Sequence, residues 1–263
     1  MRIVTLLENT TQDQEFSCEH GLSLYIETGK YKILFDAGQS AIFAQNAEKL
    51  GIDLRKVDFA VLSHGHNDHG GGLSRFMQIN DKAPVYVNRN AFQPHYNGTG
   101  KFIGLGYDGL DVSRIRFVDD EHKIAEGISL CTCNGRRAIV EVDSFGQTVE
   151  EKGLLQPDHY RHEQYLVINE NGSKICFSGC SHKGILNIIH WLQPDVLFGG
   201  FHFMKVPVTG EGKKLLKDSA KALLSGETRY YTGHCTGLEQ YEVMKTVMGD
   251  RLQLLSCGVE IEL

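Results

Sequence analysis

The run LSHGHNDHGGG at positions 62 to 72 sets His64, His66, Asp68 and His69 close together, between an apolar stretch and a block of glycines. Each imidazole and the carboxylate needs water or a partner. Burying several of them side by side without one carries a desolvation cost that chance packing does not meet. A bound cation is the economical partner. In extended backbone the side chains of His64 and His66 point the same way, because the strand period is two, so both can grip one ion. Asp68 and His69 follow once the chain has turned and face a second position. Imidazole and carboxylate together suit zinc, iron or manganese, and Gly70, Gly71 and Gly72 let backbone come close to the ions.

The elements around this cluster must place it on a strand-to-helix turn. VDFAVLS, 57 to 63, reads as a short apolar strand running into the histidines, and GGLSRFMQ reads as the start of a helix. Upstream, LSLYIETGKYKILFDAG predicts a hairpin of strands 22 to 27 and 31 to 35, followed by a helix over SAIFAQNAEKLG with Ser40 as N-cap. From 88 to 127 the periodicity weakens, which predicts a long surface loop, with the glycine-rich 97 to 109 as a flap. Alternation then returns. EQYLVI and SKICFS are strands joined at Asn171 and Gly172; KGILNIIHWLQ, GKKLLKDSAKALLSG and LEQYEVMKTVMG are helices; DVLFGG, TRYYTG, RLQLLS and VEIEL are strands. Strands mixed with helices throughout imply a layered α/β protein, a single domain over residues 1–263.

Composition narrows the partners. A net charge of −6 argues against a nucleic-acid surface, and no apolar run approaches the roughly 20 residues of a membrane span. The N-terminus lacks a signal-like segment, and seven cysteines without a repeated spacing read as reduced thiols, so a cytoplasmic protein is expected. A small-molecule substrate fits this better than a nucleic acid or a membrane. Gly104, Gly106 and Gly109 match a dinucleotide string but lack the flanking strand and helix, and Cys131 and Cys133 lack a second pair for a zinc knuckle. A rival reading takes SGCSHKG as a nucleophile turn with Cys180 or Ser181 activated by a histidine.

HGHNDH after an apolar strand resembles the H-x-H-x-D-H signature of the metallo-β-lactamase superfamily. EHGLS, EQYLVI, FSGCSHKGI, GGFHF and HCTG resemble the branch known as dihydropterin-aminobenzene ribofuranosyl phosphate synthase or metal-dependent hydrolase. The resemblance implies a four-layered αββα sandwich with two divalent ions at one edge, zinc first, manganese or iron behind it. It implies His234 of HCTG as the last histidine ligand and Asp36 of ILFDAG as a support for the ligands. Two positions depart from the superfamily pattern. The third histidine falls where the chain offers His159 and His162, and the bridging aspartate falls at Cys180. His182, in GCSH, is the favoured replacement imidazole and Cys180 a thiolate ligand, with His159 and His162 as alternates.

Two ions about 3.5 to 4 Å apart hold a hydroxide that is nucleophilic at neutral pH and polarise the substrate oxygen. Asp68 would hold one ion and orient that hydroxide, and His202, after another strand end, would donate to substrate or leaving group. Thr236 is a candidate anion contact at a helix N-terminus. Glu8, Asn9, Glu19 and His20 lie in motifs that carry the resemblance, and their types and spacing alone suggest no role. The resulting expectation is a metallohydrolase of a small-molecule ester, a phosphate ester or phosphodiester first, with a pterin-related one implied by the branch name. A thioester or lactone hydrolase and a di-iron redox or sensor protein are the alternatives on the same site.

Overall fold

The computed structural model describes residues 1–263. Two seven-stranded sheets stand face to face, and a small three-stranded sheet lies beside them. In the first, the order is Glu260–Glu262, Arg2–Leu7, Ser23–Glu27, Lys32–Phe35, Phe59–Val61, Val85–Asn88 and Ile115–Val118. In the second it is Leu252–Leu254, Arg229–Thr232, Val196–Phe198, Ser173–Phe177, Tyr165–Glu170, Ile128–Cys131 and Glu121–Ala125. Each sheet is antiparallel in one half and parallel in the other.

Three apolar clusters define four layers. The period of two sends Ile33, Phe35, Phe59 and Val61 inward against Leu166, Ile168, Phe177 and Phe198 of the facing sheet. Leu34, Ala60 and Leu62 point outward and bury against Phe43, Ala47, Leu73 and Phe76 of helices Ile42–Lys49 and Leu73–Ile79. On the far side, Tyr165, Cys176 and Leu197 pack under helices Ile185–Leu192, Gly210–Leu223 and Leu238–Met248. Helix, sheet, sheet, helix is the expected αββα order. No helix is long and apolar enough to cross a membrane.

The expected hairpins are present, including the turn at Asn171 and Gly172, both at positive φ (52° and 81°). The long loop expected over 88 to 127 is not. That span contains His95–Tyr96, Ile115–Val118 and Glu121–Ala125. Ile115–Val118 buries only its two ends, so its sequence shows no alternation to read. His95–Tyr96 pairs with Thr148–Glu151, which pairs in turn with Leu154–Pro157. Arg2–Leu7 is a further strand that the sequence reading leaves out. Ala41 stands at the cap position of the first helix, and the hydroxyl of Ser40 before it donates to Glu19 Oε1 at 2.9 Å while accepting from Ile42 N at 3.3 Å.

The carboxyl ends of the parallel strands of both sheets meet at one rim. Asp36 follows Phe35, the histidine motif follows Val61, Cys180 and His182 follow Phe177, His202 follows Phe198, and His234 follows Thr232. Ligand sites in open α/β sheets form at such ends.

Candidate metal centre

Leu62 to His66 stays outside regular structure until His66, with φ −93° and ψ 148°, caps the short helix Asn67–Gly70. The motif is thus the expected strand-to-helix turn. Close backbone approach explains two glycines: a Cβ on Gly72 would stand 2.1 Å from Ala37 O, and one on Gly179 would stand 2.1 Å from Ser63 Oγ. The second contact brings the GCSH loop of one sheet against the histidine loop of the other.

Hydrogen bonding fixes three imidazoles in one tautomer. Ser63 Oγ donates its proton to Asp36 Oδ2 at 2.7 Å, so it can only accept from His64 Nδ1 at 2.9 Å. His69 Nδ1 donates to the same Asp36 Oδ2 at 2.7 Å. His234 Nδ1 donates to Asn9 Oδ1 at 2.8 Å, an oxygen that also accepts from Gly21 N. In all three rings, Nε2 is therefore left with a lone pair. Those lone pairs converge: His69 Nε2 lies 3.1 Å from His234 Nε2 and 3.2 Å from Cys180 Sγ, and His64 Nε2 lies 3.2 Å from His182 Nε2. Asp68 Oδ2 adds a carboxylate at 3.3 Å from His234 Nε2 and 3.8 Å from His69 Nε2. With both rings neutral, the Nε2 lone pairs of His69 and His234 face each other at 3.1 Å and repel unless a cation, a proton or a metal ion, lies between them. Nε2 of His66 and Nδ1 of His182 are also buried without a partner. The residues fit divalent ions held by imidazole, carboxylate and thiolate.

The structure therefore brings together His64, His66, Asp68, His69, Cys180, His182 and His234, as the sequence reading expects, in overlapping groups able to hold a metal. Asp36 stands behind His64 and His69 as expected. His202 lines the same cleft of about 320 Å³, its ring 4.2 Å from that of His182. Two expectations fail. Thr236 is fully buried, and its hydroxyl accepts from Phe201 N and is spent on Thr232, so it reaches no ligand. His159 is exposed, and its neighbour His162 uses Nδ1 to accept from Gly65 N at 2.9 Å, which removes that lone pair from coordination.

Roles also appear for residues that the sequence left without one. Asn9 sets the His234 tautomer, Glu8 accepts from His234 N, and His20 Nε2 reaches Asp68 Oδ2 at 3.3 Å. Glu163, buried under the GCSH loop, accepts from His182 N at 2.7 Å and Lys183 N at 3.0 Å.

Burial keeps six of the imidazoles at the site neutral. It pushes His162, His202 and His234 down to about 4 and His64, His66 and His182 well below the ordinary histidine value. Burial alone would raise Asp68, but the facing rings of His69, His20 and His234 hold it well below the usual carboxylate range. His69 moves the other way, because Asp36 and Asp68 outweigh its burial. An unfolded chain takes up protons near 6.5, whereas the six depressed histidines refuse them until far lower pH. Their contribution to stability is present above pH 6.5 and is lost as pH falls toward 4, while that of His69 is lost as pH rises. Six groups outweigh one. The metal-free chain is expected to lose stability below pH 6.5, by at most about 1.4 kcal/mol per pH unit for each such histidine. Urea midpoints at pH 7.5 and pH 5 check this, and equal midpoints would contradict it.

A family model described as the metallo-beta-lactamase superfamily matches residues 17–227. An uncharacterized protein of Methanocaldococcus jannaschii is 27% identical, covering 90% of this chain and 91% of its own. From the same organism, 7,8-dihydropterin-6-methyl-4-(beta-D-ribofuranosyl)-aminobenzene-5'-phosphate synthase is 26% identical, covering 98% and 95%. Among solved structures, Tm1679, a metal-dependent hydrolase of the beta-lactamase superfamily, superposes with a TM-score of 0.84 at 26% identity, over 100% of this chain and 99% of that one.

Proposed function

Because the chain belongs to the metallo-beta-lactamase superfamily, we propose that it is a metal-dependent hydrolase of a small anionic ester, a phosphate ester or phosphodiester first. Its centre is read as His64, His66, Asp68, His69, Cys180, His182 and His234, holding two divalent ions, zinc before manganese or iron. The observation that carries this reading is the set of inward lone pairs on His64, His69 and His234, each fixed by a bond on the far side of its ring. When bound, such ions supply water activation and stabilise negative charge developing on the substrate.

The protein's own residues do the rest. Asp36, Ser63 and Asn9 hold three rings in the tautomer that coordination needs. Asp68, kept ionised, brings negative charge into the cleft and orients the attacking water. His202, neutral at pH 7 because burial holds it at about 4, serves as a hydrogen-bond donor to substrate or leaving group rather than as a proton source. Lys101 and Lys205, exposed at the cleft, suit a phosphate-bearing ligand. A phosphate is also in the name of the Methanocaldococcus synthase. Free thiols at all seven cysteines fit a reducing compartment, the cytoplasm, and the cleft of about 320 Å³ fits a small molecule as the partner.

A second reading has one observation in its favour: Cys180 Sγ, His69 Nε2 and Asp36 Oδ2 stand in line at 3.2 and 2.7 Å, the order of nucleophile, base and orienting carboxylate. Burial raises the Cys180 thiol well above its ordinary value, and this line leaves the lone pairs of His64 and His234 unanswered. Ser181, fully buried and bonded to Ser178 Oγ, takes no part. Elemental analysis followed by a panel of phosphomonoester, phosphodiester, thioester and lactone substrates tests the choice. Lasting chelation is expected to abolish the activity and iodoacetamide to leave most of it. The reverse result would establish the thiol enzyme, and iron with no hydrolysis of any ester would overturn the hydrolase.

A further inference from the structure

One buried imidazole beside the centre has no work in this account. His95, on the strand His95–Tyr96, is 1% exposed, and its Nδ1 donates to Asp158 Oδ2 at 2.8 Å. Its Nε2 therefore carries a lone pair, and that atom is buried without a partner. The His66 ring lies 5.6 Å away, and its Nε2 is likewise buried and unpartnered. His66, His95, Asp158 and His162 each bring a ligand atom within 4.8 Å of the others. His162 cannot answer either nitrogen. Its Nδ1 accepts from Gly65 N, so Nε2 holds the proton, which faces Asp158 Oδ2 at 3.3 Å. Asp158 Oδ1 accepts from Tyr160 N at 2.7 Å, so the carboxylate is held from both sides.

We infer that His95 is a positioning residue for the metal centre: its Nε2 accepts the ring proton of His66 once His66 binds a metal through Nδ1, completing a relay from His66 through His95 to Asp158. The inference rests on the reading of His66 as a ligand. Of the two orphaned nitrogens, His95 Nε2 is already fixed as an acceptor, and His66 Nε2 becomes a fixed donor when its other nitrogen is engaged. Metal-bound histidines commonly donate their free N–H to a carboxylate or carbonyl, which raises their basicity and fixes the ring. Here a second imidazole spans the gap to the carboxylate. Backbone bonds also tie the 97–109 segment to this side of the site. His95 O accepts from Ile103 N at 2.8 Å, and Ile103 O accepts from Asn67 N at 2.8 Å, beside His66.

The test compares His95→Leu, which keeps bulk and removes the acceptor, with His95→Gln, whose Oε1 restores one. Zinc affinity is read by competition with a chromogenic chelator and the ligand field by cobalt absorption. His95→Leu is expected to weaken one equivalent of zinc roughly 10- to 100-fold and shift the cobalt bands, with His95→Gln recovering most of the loss. Equal affinity in His95→Leu and wild type overturns the relay alone. Loss of a whole metal equivalent that His95→Gln does not restore overturns it in favour of His95 as a ligand. Should His95→Leu not fold, a proton–nitrogen correlation spectrum of the zinc-loaded wild type decides: His66 protonated at Nε2 supports the relay, and at Nδ1 overturns it. A wild-type chain that binds no zinc overturns the metal-centre reading and the relay with it.

Discussion

In His69→Ala, hydrolysis of the best substrate falls by about three orders of magnitude or more, and bound metal falls with it. His69 sits where the lone pairs converge, with Nε2 3.1 Å from His234 Nε2 and 3.2 Å from Cys180 Sγ. On the proposed reading its removal takes a ligand from one ion, and it leaves Asp36 Oδ2 with the Ser63 hydroxyl alone. Loss of an ion forfeits several kcal/mol of charge stabilisation, and about 4 kcal/mol corresponds to roughly a thousandfold in rate. Turnover and zinc per chain, measured on the same preparation, check this. A variant with full metal and turnover within tenfold of wild type would remove His69 from the centre.

The second large effect is on stability. Asp36 is fully buried in a left-handed backbone conformation (φ 57°) and accepts from Ser63 N, Ser63 Oγ and His69 Nδ1, each at 2.7 Å. Asp36→Ala leaves these donors unanswered in a dry site and places an alanine where φ is positive, a conformation that aspartate and asparagine tolerate better. Breaking a buried charged network typically costs about 3 to 5 kcal/mol. For a chain of this size that lowers the melting midpoint by roughly 10 °C. Metal affinity falls as well, since the tautomers of His64 and His69 are no longer held. Calorimetry of the metal-free variant separates the two effects; an unchanged midpoint would mean that the network contributes nothing to the fold.

Much of the centre was legible because His64, His66, Asp68 and His69 share one strand-to-helix turn, so spacing alone predicts their convergence. His182 and His234 were legible only through short motifs that resemble known ones. Spacing could not choose among His159, His162 and His182, because the choice depends on what each ring meets in the packed chain: His159 is exposed, and His162 Nδ1 is occupied in accepting from Gly65 N. Asn9, Glu8, His20 and Asp158 reach the site from segments without periodicity, and only the packed chain shows them beside it. Thr236 was misread because a threonine next to a ligand looks available, whereas its hydroxyl closes a bond between two loops. Glu121–Ala125 escaped for the same reason as Ile115–Val118, whose middle is exposed on both faces. By contrast, the apolar runs in Lys32–Phe35 and Tyr165–Glu170 were plain, because both faces of the central strands are covered.

The rim where the parallel strands end has a mechanical side. His64, His66, Asp68 and His69 hang from one sheet and Cys180, His182 and His234 from the other, with Phe35 packed against Phe177 just beneath them. Ions held there as proposed would act as rivets above that contact, so that parting the sandwich and shedding the metal become one event. Loading then stiffens the strand ends in proportion to how tightly the cations are gripped, and amide exchange should slow at Phe177 and Thr232 as much as in the histidine loop itself.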